Sequence, residues 1–471
     1  MTTIKLDPGA ALLLDALHGA GHAAYAVGGC VRDSLLGLDP HDWDLCTSAR
    51  PEQVMALFGE EKCIPTGLQH GTVTVKQGGR LYETTTFRTE GAYSDGRHPD
   101  AVCFVPDVRE DLARRDFTIN AMAYSAEEGL IDPFGGRDDL AAHLVRAVGE
   151  PERRFEEDAL RILRLYRFAA RFGFAIDLAT GAAARALGPH LDCVSAERIQ
   201  EELLKLLAAP RPGNYLEPAV LAVVLPELEP EKQPERFAEL CRTIDRIEPT
   251  AENVPARLAA LLCPLGEAGA RKALRKLKCS NALTDEVTAL EREAGGGAGS
   301  SSEDRPLGWD PAAAGSRAGD GMACNSNDRR QWRMQEVAVG AAASDTQAMR
   351  SGCWEPQPEL VSDQTLMAKR LLGRYELPTI QRLTALCSAR HPEQTGAFAA
   401  LRAEAEQLTA ENACCRVSQL AVNGRDLMAA GVRPGPGLRQ VLNALLEAVI
   451  TGQTPNEKDA LLAAVAQFSA S

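Results

Sequence analysis

The sequence predicts an α+β protein: an N-terminal head with a mixed sheet and helices, then a remainder built only of helices. Two observations carry this. From about Ile4 to Gly149, strand-like runs ("HAAYAVGG", "WDLCTS", "GTVTVKQ", "RLYETTTF", "AVCFV") alternate with helix-like runs. After Pro151 the strand signal fades, and "EEDALRILRLYRFAARF", "SAERIQEELLKLLAA" and "PARLAALLCPL" carry the 3.6-residue period of amphipathic helices. At 471 residues the chain is too long for one core, which implies several domains.

The elements follow in order. "MTTIKLDPGAALLLDALHGAG" carries Asp7 and Asp15 and lacks a basic start before an apolar core, so it reads as a first helix rather than a secretory signal. With no run of eighteen apolar residues, no membrane span is expected and a cytoplasmic location is. In "SARPEQVMALF", Ser48 is a candidate cap and Pro51 falls in the first helical turn. The 13 cysteines are scattered without a C-x-x-C, which argues against a zinc site or a disulfide framework. From about Gly295 to Glu359 glycine, serine, alanine and aspartate dominate without a period, and a flexible insertion is expected there, although Trp309, Trp332 and Trp354 are unusual company for one.

The net charge of −14 argues against a nucleic-acid partner, yet a local basic strip can still hold phosphates. One such strip is on the helix after Glu156. At one hundred degrees per residue, Arg161, Arg164, Arg167 and Arg171 fall within an arc of about 120°, opposite Ala159, Ile162, Leu163 and Tyr166. Four arginines without a lysine suit planar, directional recognition. Asp158, one turn before Arg161, would join it in facing a base edge. The plainer alternative is a solvated helix face.

The head supplies acids. On a strand Asp42 and Asp44 share one face while Trp43 and Leu45 point inward. Two carboxylates about seven ångströms apart suit hard cations such as Mg²⁺, and a lone D-x-D is otherwise an exposed strand. Before them "VGG" ends a strand and "CVRDSLLG" begins a helix, so Gly28 and Gly29 allow backbone amides close to phosphate and Arg32 could add a charge. In "RLYETTTFR", Glu83 shares a face with Leu81, Thr85 and Phe87, where an acid would want a metal or hydroxyl partner. In "RRDFTINAMAY", Arg115 and Asp116 place donors beside an acceptor, a match for the vicinal hydroxyls of ribose or for a salt bridge at a helix end.

These blocks resemble the nucleotidyltransferase superfamily with a polymerase-β-like head. The match is closer to the class II tRNA nucleotidyltransferases, the CCA-adding enzymes, whose relatives the bacterial poly(A) polymerases share most motifs. "GGCVRDSLLG…DWD", "RRDFTINAMAY" and "EEDALRILR" are similar to the family's metal, ribose and base motifs. The resemblance implies addition of C, C and A to the tRNA 3′ end from CTP and ATP, or alternatively an A-adding or poly(A) activity. It implies Mg²⁺ on Asp42 and Asp44, with Glu83 at the attacking hydroxyl and Gly28, Gly29 and Arg32 on the triphosphate. Arg115 and Asp116 would take the ribose, Asp158 and Arg161 the base, and Arg164 and Arg167 phosphates. It further implies a catalytic head over 1–149, a neck over 150–216, a body over 217–395 and a tRNA-binding tail over 396–471, with no stable protein partner. "PTGLQHGTVTV" and the loop "FRTEGAYSDGRHPDAV" are similar to the CCA-adding pattern, His98 standing where a second basic residue is common.

Overall fold

The head is organised around β1 (Ala24–Val27), whose four side chains are all buried. On one side it pairs antiparallel with β2 (Leu45–Thr47), matching Ala26 to Leu45. The structure is a computed structural model describing residues 3–90, 102–295 and 362–469; the loop "GAYSDGRHPDA" and the insertion fall outside them. By compactness the chain divides into two units, 1–300 and 301–471.

Three further strands, β3 (Cys63–Gly67), β4 (Thr72–Gln77) and β5 (Arg80–Thr86), form a meander that joins β2 through β5. The β2–β5 pairing is parallel, with Leu45 opposite Thr84. A short hairpin, β6 (Arg88–Glu90) with β7 (Val102–Phe104), stands apart. Strands β8 (Ala123–Ser125) and β9 (Gly129–Ile131) complete a seven-stranded mixed sheet in the order β3-β4-β5-β2-β1-β8-β9.

Helix α1 (Pro8–Gly19) begins where its sequence says it should: the Asp7 carboxylate accepts from the Gly9 and Ala10 amides at 2.9 and 3.2 Å, and proline fills the first turn. Gly9 has no room for a side chain, because a Cβ there would lie 2.1 Å from the Tyr82 hydroxyl. Helix α2 (Gly29–Leu35) follows β1, and α3 (Pro51–Phe58) follows β2. Ser48 does not cap α3. Its hydroxyl accepts from the Ala23 amide at 3.0 Å, and Gln53 reaches back to the Arg50 amide instead. Helix α4 (Val108–Ala113) closes the core of Tyr25, Val27, Cys46, Phe87, Val108, Leu112 and Val148, and α5 (Gly136–Ala141) completes the head.

Helices α6 (Pro151–Glu157) and α7 (Leu160–Phe172) come next, and the short parallel pair β10 (Leu144–Val145) and β11 (Ala175–Ile176) ties the end of α7 to the head. The rest of the first unit is α8 (Leu178–Leu187), α9 (Ala196–Leu207), α10 (Pro218–Val224), α11 (Pro234–Arg246), α12 (Val254–Leu262), α13 (Gly266–Lys276) and α14 (Asn281–Glu293). Arg257 of α12 is fully buried, and its guanidinium donates to the carbonyls of Leu207, Ala209 and Ile247 at 2.5 to 3.1 Å. It thereby satisfies carbonyls at the ends of α9 and α11 that would otherwise be orphaned.

The second unit is helical throughout its described residues: α15 (Asp363–Arg374), α16 (Leu377–Arg390), α17 (Thr395–Ala410), α18 (Gly424–Ala429), α19 (Pro436–Ile450) and α20 (Lys458–Ser469). Asn423 caps α18, and Leu420, Leu427, Leu445, Val449, Leu461 and Val465 form a core of its own.

Candidate active site

β2 begins at Leu45, so Asp42 and Asp44 lie on its extended lead-in rather than within it. The alternation still holds: Trp43 and Leu45 are buried and both acids are exposed. The parallel β2–β5 register sets Asp44 beside Glu83. The Asp44 carboxyl is pushed up to about 6. The chief cause is the protein packed around it; the negative charges of Glu83 and Asp42 add to this, and Arg115 pulls the other way. The face carrying Glu83 is not the core face that was expected, since Leu81 is 61% exposed while Tyr82, Thr84 and Thr86 are buried. Glu83 is a rim acid, not an acid in an apolar wall. Among the described residues no three His, Cys, Asp or Glu side chains converge on a metal-sized space, so the acids form an open rim.

Behind the rim is the glycine turn. Gly28 has φ +77°, and a Cβ there would lie 2.8 Å from Arg115 Nη1. Arg115 therefore arches over the turn, close enough to Asp44 to act on it. Its Nη2 donates to Asp111 at 3.4 Å, while its buried Nε has no hydrogen-bond partner. Arg32 has protein partners of its own. It is only 3% exposed: its Nε donates to Asp33 at 2.8 Å, its Nη1 donates to Asn120 Oδ1 at 2.5 Å, and its guanidinium carbon lies 5.3 and 4.9 Å from the Phe168 and Phe172 ring centres. Both guanidiniums face the glycine turn, Arg115 Nη1 at Gly28 and Arg32 Nη2 3.5 Å from where a Cβ on Gly29 would be.

Asp116 is also committed. Oδ1 accepts from the Phe117 amide at 2.8 Å and from Asn120 Nδ2 at 3.0 Å; Oδ2 accepts from Arg164 Nε and Nη2 at 2.9 and 2.6 Å. That fills the four acceptor positions of a carboxylate and leaves none for a ribose hydroxyl. Burial alone would raise its pKa; Arg164 and Asn120 outweigh burial and hold it well below the usual carboxylate range.

The continuous helix expected from Glu156 is broken at Asp158, whose backbone is extended (φ −150°, ψ 103°) between α6 and α7. Its side chain accepts from the Leu160 amide at 3.1 Å, as an aspartate at a helix start does. Asp158 and Arg161 lie at the same junction but do not pair. Arg161 Nη1 donates to Glu157 at 2.7 Å and to the Arg154 carbonyl at 3.1 Å, and its Nη2 donates to the Arg114 carbonyl at 3.1 Å. Asp158 is held by Arg198 of α9. The rest of the arginine row is paired too: Arg164 with Asp116, Arg167 with Glu202 at 2.5 Å, and Arg171 with Asp33 at 3.2 Å.

Sequence reasoning missed Asn120, Glu157, Arg198 and Glu202. Glu157 stands four residues before Arg161 across the α6–α7 break, a sequence spacing that could have marked it. Asn120, Arg198 and Glu202 carried no such local signal.

Three family descriptions match: a poly A polymerase head domain over residues 24–146, a probable RNA and SrmB-binding site of polymerase A over 173–232, and a putative tRNA nucleotidyltransferase domain 2 over 373–465. A CCA-adding enzyme of Limosilactobacillus fermentum is 33% identical over 461 residues, 97% of this chain and 96% of that one. The CCA-adding enzyme of Geobacillus stearothermophilus is 33% identical, covering 96% and 94%. The crystal structure of the Bacillus stearothermophilus CCA-adding enzyme in complex with CTP superposes with a TM-score of 0.72 at 30% identity, over 98% of each chain. With a head of the poly A polymerase type, a helical remainder and full-length relatives a third identical, the chain belongs to the family of CCA-adding enzymes, the class II tRNA nucleotidyltransferases.

Proposed function

We propose that this protein adds C, C and A in turn to the 3′ end of tRNA from CTP and ATP, releasing pyrophosphate, with its own side chains in place of a nucleic-acid template. The observation that carries this is the β2–β5 register, which sets the Asp44 and Glu83 carboxylates side by side next to the Gly28 turn.

Asp42 and Asp44 fit Mg²⁺: they are hard oxygen donors at an open rim, and the excess negative charge around Asp44 favours a cation. When bound, the metal neutralises triphosphate charge and assists displacement at the α-phosphorus. Glu83, beside Asp44, orients the tRNA 3′-hydroxyl and accepts its proton on the carboxylate. Gly28 and Gly29 bring backbone close to the triphosphate, and Arg32 and Arg115, whose guanidiniums face that turn, supply charge there. Asp116 shapes the ribose pocket by fixing Arg164 and Asn120. Asp158 accepts from the base and Arg161 donates to it, with Arg164 and Arg167 lining the same face of α7. The head (1–149) carries the chemistry, the neck (150–216) recognises the base, the body (217–395) follows, and the tail (396–471) binds tRNA, in the cytoplasm.

The test is extension of tRNA lacking its CCA end by the purified protein with Mg²⁺. CTP alone should add two residues and CTP with ATP three. Long tracts from ATP alone would replace this reading with that of a poly(A) polymerase.

A further inference from the structure

On the side of α7 away from the arginine row lies a cavity of about 250 Å³, walled by α7, α8 and the turn over 212–215 that leads into α10. Tyr166, Tyr215 and Ile176 supply aromatic and apolar wall. Tyr166 is 4% exposed, and its hydroxyl is buried without a hydrogen-bond partner. A buried hydroxyl left unpaired costs stability, which a ligand that bonds to it restores. Arg185 and Glu217 both line the cavity and stand 3.8 Å apart, an ion pair too long for a hydrogen bond. Glu217 is the residue before α10, yet its side chain makes no cap. The cavity therefore offers a guanidinium that donates, a carboxylate that accepts and a hydroxyl that can do either. Asp177, also in the wall, is already held by Thr180 and Arg146.

The charges of Arg185 and Glu217 cancel, so the cavity lacks the net positive charge that a phosphate would want. Its chemistry asks for a neutral ligand, flat enough to lie against a tyrosine ring, with a donor next to an acceptor along one edge. A nucleobase meets all three demands, and unpaired bases are held in proteins by stacking on aromatic rings with hydrogen bonds along an edge. We propose that this cavity is a second nucleobase site, taking the base of a free nucleoside or of an unpaired RNA residue. Glu217 accepts from the base edge, Arg185 donates to it, and the Tyr166 hydroxyl gains the partner it lacks. The volume is below the roughly 300 Å³ at which drug-sized ligands begin to fit, so the base enters and the sugar stays outside. The site is separate from the base-reading junction, because Tyr166 falls on the arc of α7 opposite Arg161, Arg164 and Arg167.

The test uses the full-length protein. Tritiated adenosine, a base and sugar without phosphate, is titrated by equilibrium dialysis, and an azido-adenosine photoprobe is crosslinked and its peptides mapped. The label should fall in the peptides that carry Tyr166 or Tyr215. Tyr166→Phe, Arg185→Met and Glu217→Gln should each weaken adenosine binding at this site about tenfold, while all three still add C to tRNA lacking its CCA end. Without nucleoside, Tyr166→Phe should melt at or above the wild-type temperature, because it deletes an unpaired hydroxyl. Label confined to the head or to the arginine face of α7 overturns the proposal. So does adenosine binding unchanged in all three variants, or a fall of several degrees in the melting of Tyr166→Phe, which would show that the hydroxyl has a partner within the fold. A single-stranded RNA hexamer distinguishes the two sources of the base. Displacement of adenosine by the hexamer identifies RNA; adenosine that stays bound, and is weakened by the variants, identifies the free nucleoside.

Discussion

The carboxylate rim and the arginine row of α7 treat charge in opposite ways. At the rim, Asp44 and Glu83 are forced together, and Asp42 adds to their mutual repulsion. Along α7 every arginine meets an acid: Glu157, Asp116, Glu202 and Asp33, each from a different segment. The rim is left with uncompensated negative charge. The row is finished in advance, so that binding need not order it. Mutations should therefore divide into those that abolish chemistry without loss of stability and those that do the reverse.

The largest expected effect is at the rim. Asp42→Ala or Asp44→Asn should reduce nucleotide addition about a thousandfold or more, while tRNA binding and melting temperature stay at or above wild-type values. An Asp42→Ala protein that still extends tRNA would sink the metal assignment, and an Asp44→Asn protein that melts early would make the rim structural. Next is the row. Asp116→Ala strands Arg164 and Asn120 and should cost about 3–5 kcal/mol of unfolding free energy in urea; a loss of activity at full stability would reverse the comparison.

Titration sharpens it further, because the two acids have opposite signs. Asp44 in the folded protein holds its proton up to about 6, above its ordinary 3.8, so this group's contribution to stability falls as pH rises between about 4 and 6. Asp116 is held below its ordinary 3.8, so its contribution is present above that pH and is lost as pH falls toward its folded value. Without divalent cations, Asp44→Asn should therefore become more stable relative to wild type as pH rises through that window. The deficit of Asp116→Asn should shrink below pH 4. Melting curves across pH 3 to 7 check both. The smallest effect is expected away from both regions: Arg185 and Glu217 are 3.8 Å apart with Arg185 half-exposed, and Arg185→Ala should change stability by less than about 1 kcal/mol.

What the sequence disclosed follows the range of each interaction. The exposed Asp42 and Asp44 flanking a buried Trp43 were legible because alternation is local. The glycine turn and the arginine arc were legible for the same reason. The partner of each charge was not: Asn120 and two phenylalanines meet Arg32 from far along the chain, and Arg198 lies 40 residues from Asp158. The misplaced core face at Glu83 has a similar origin, since Leu81 and Phe87 share its parity but only Phe87 is buried. The break at Asp158 was readable in part, because aspartate before a helical run favours a cap over a mid-helix position.

Arg257 bears on all of this from a distance. Its guanidinium joins the carbonyl ends of α9 and α11, so the last turn of α9 cannot fray without exposing a buried cation. The amide protons of that turn should then exchange with deuterium only when α12 opens as well, as one cooperative unit. The helix that carries Arg198 and Glu202 is thereby pinned at its far end by a residue fifty positions on.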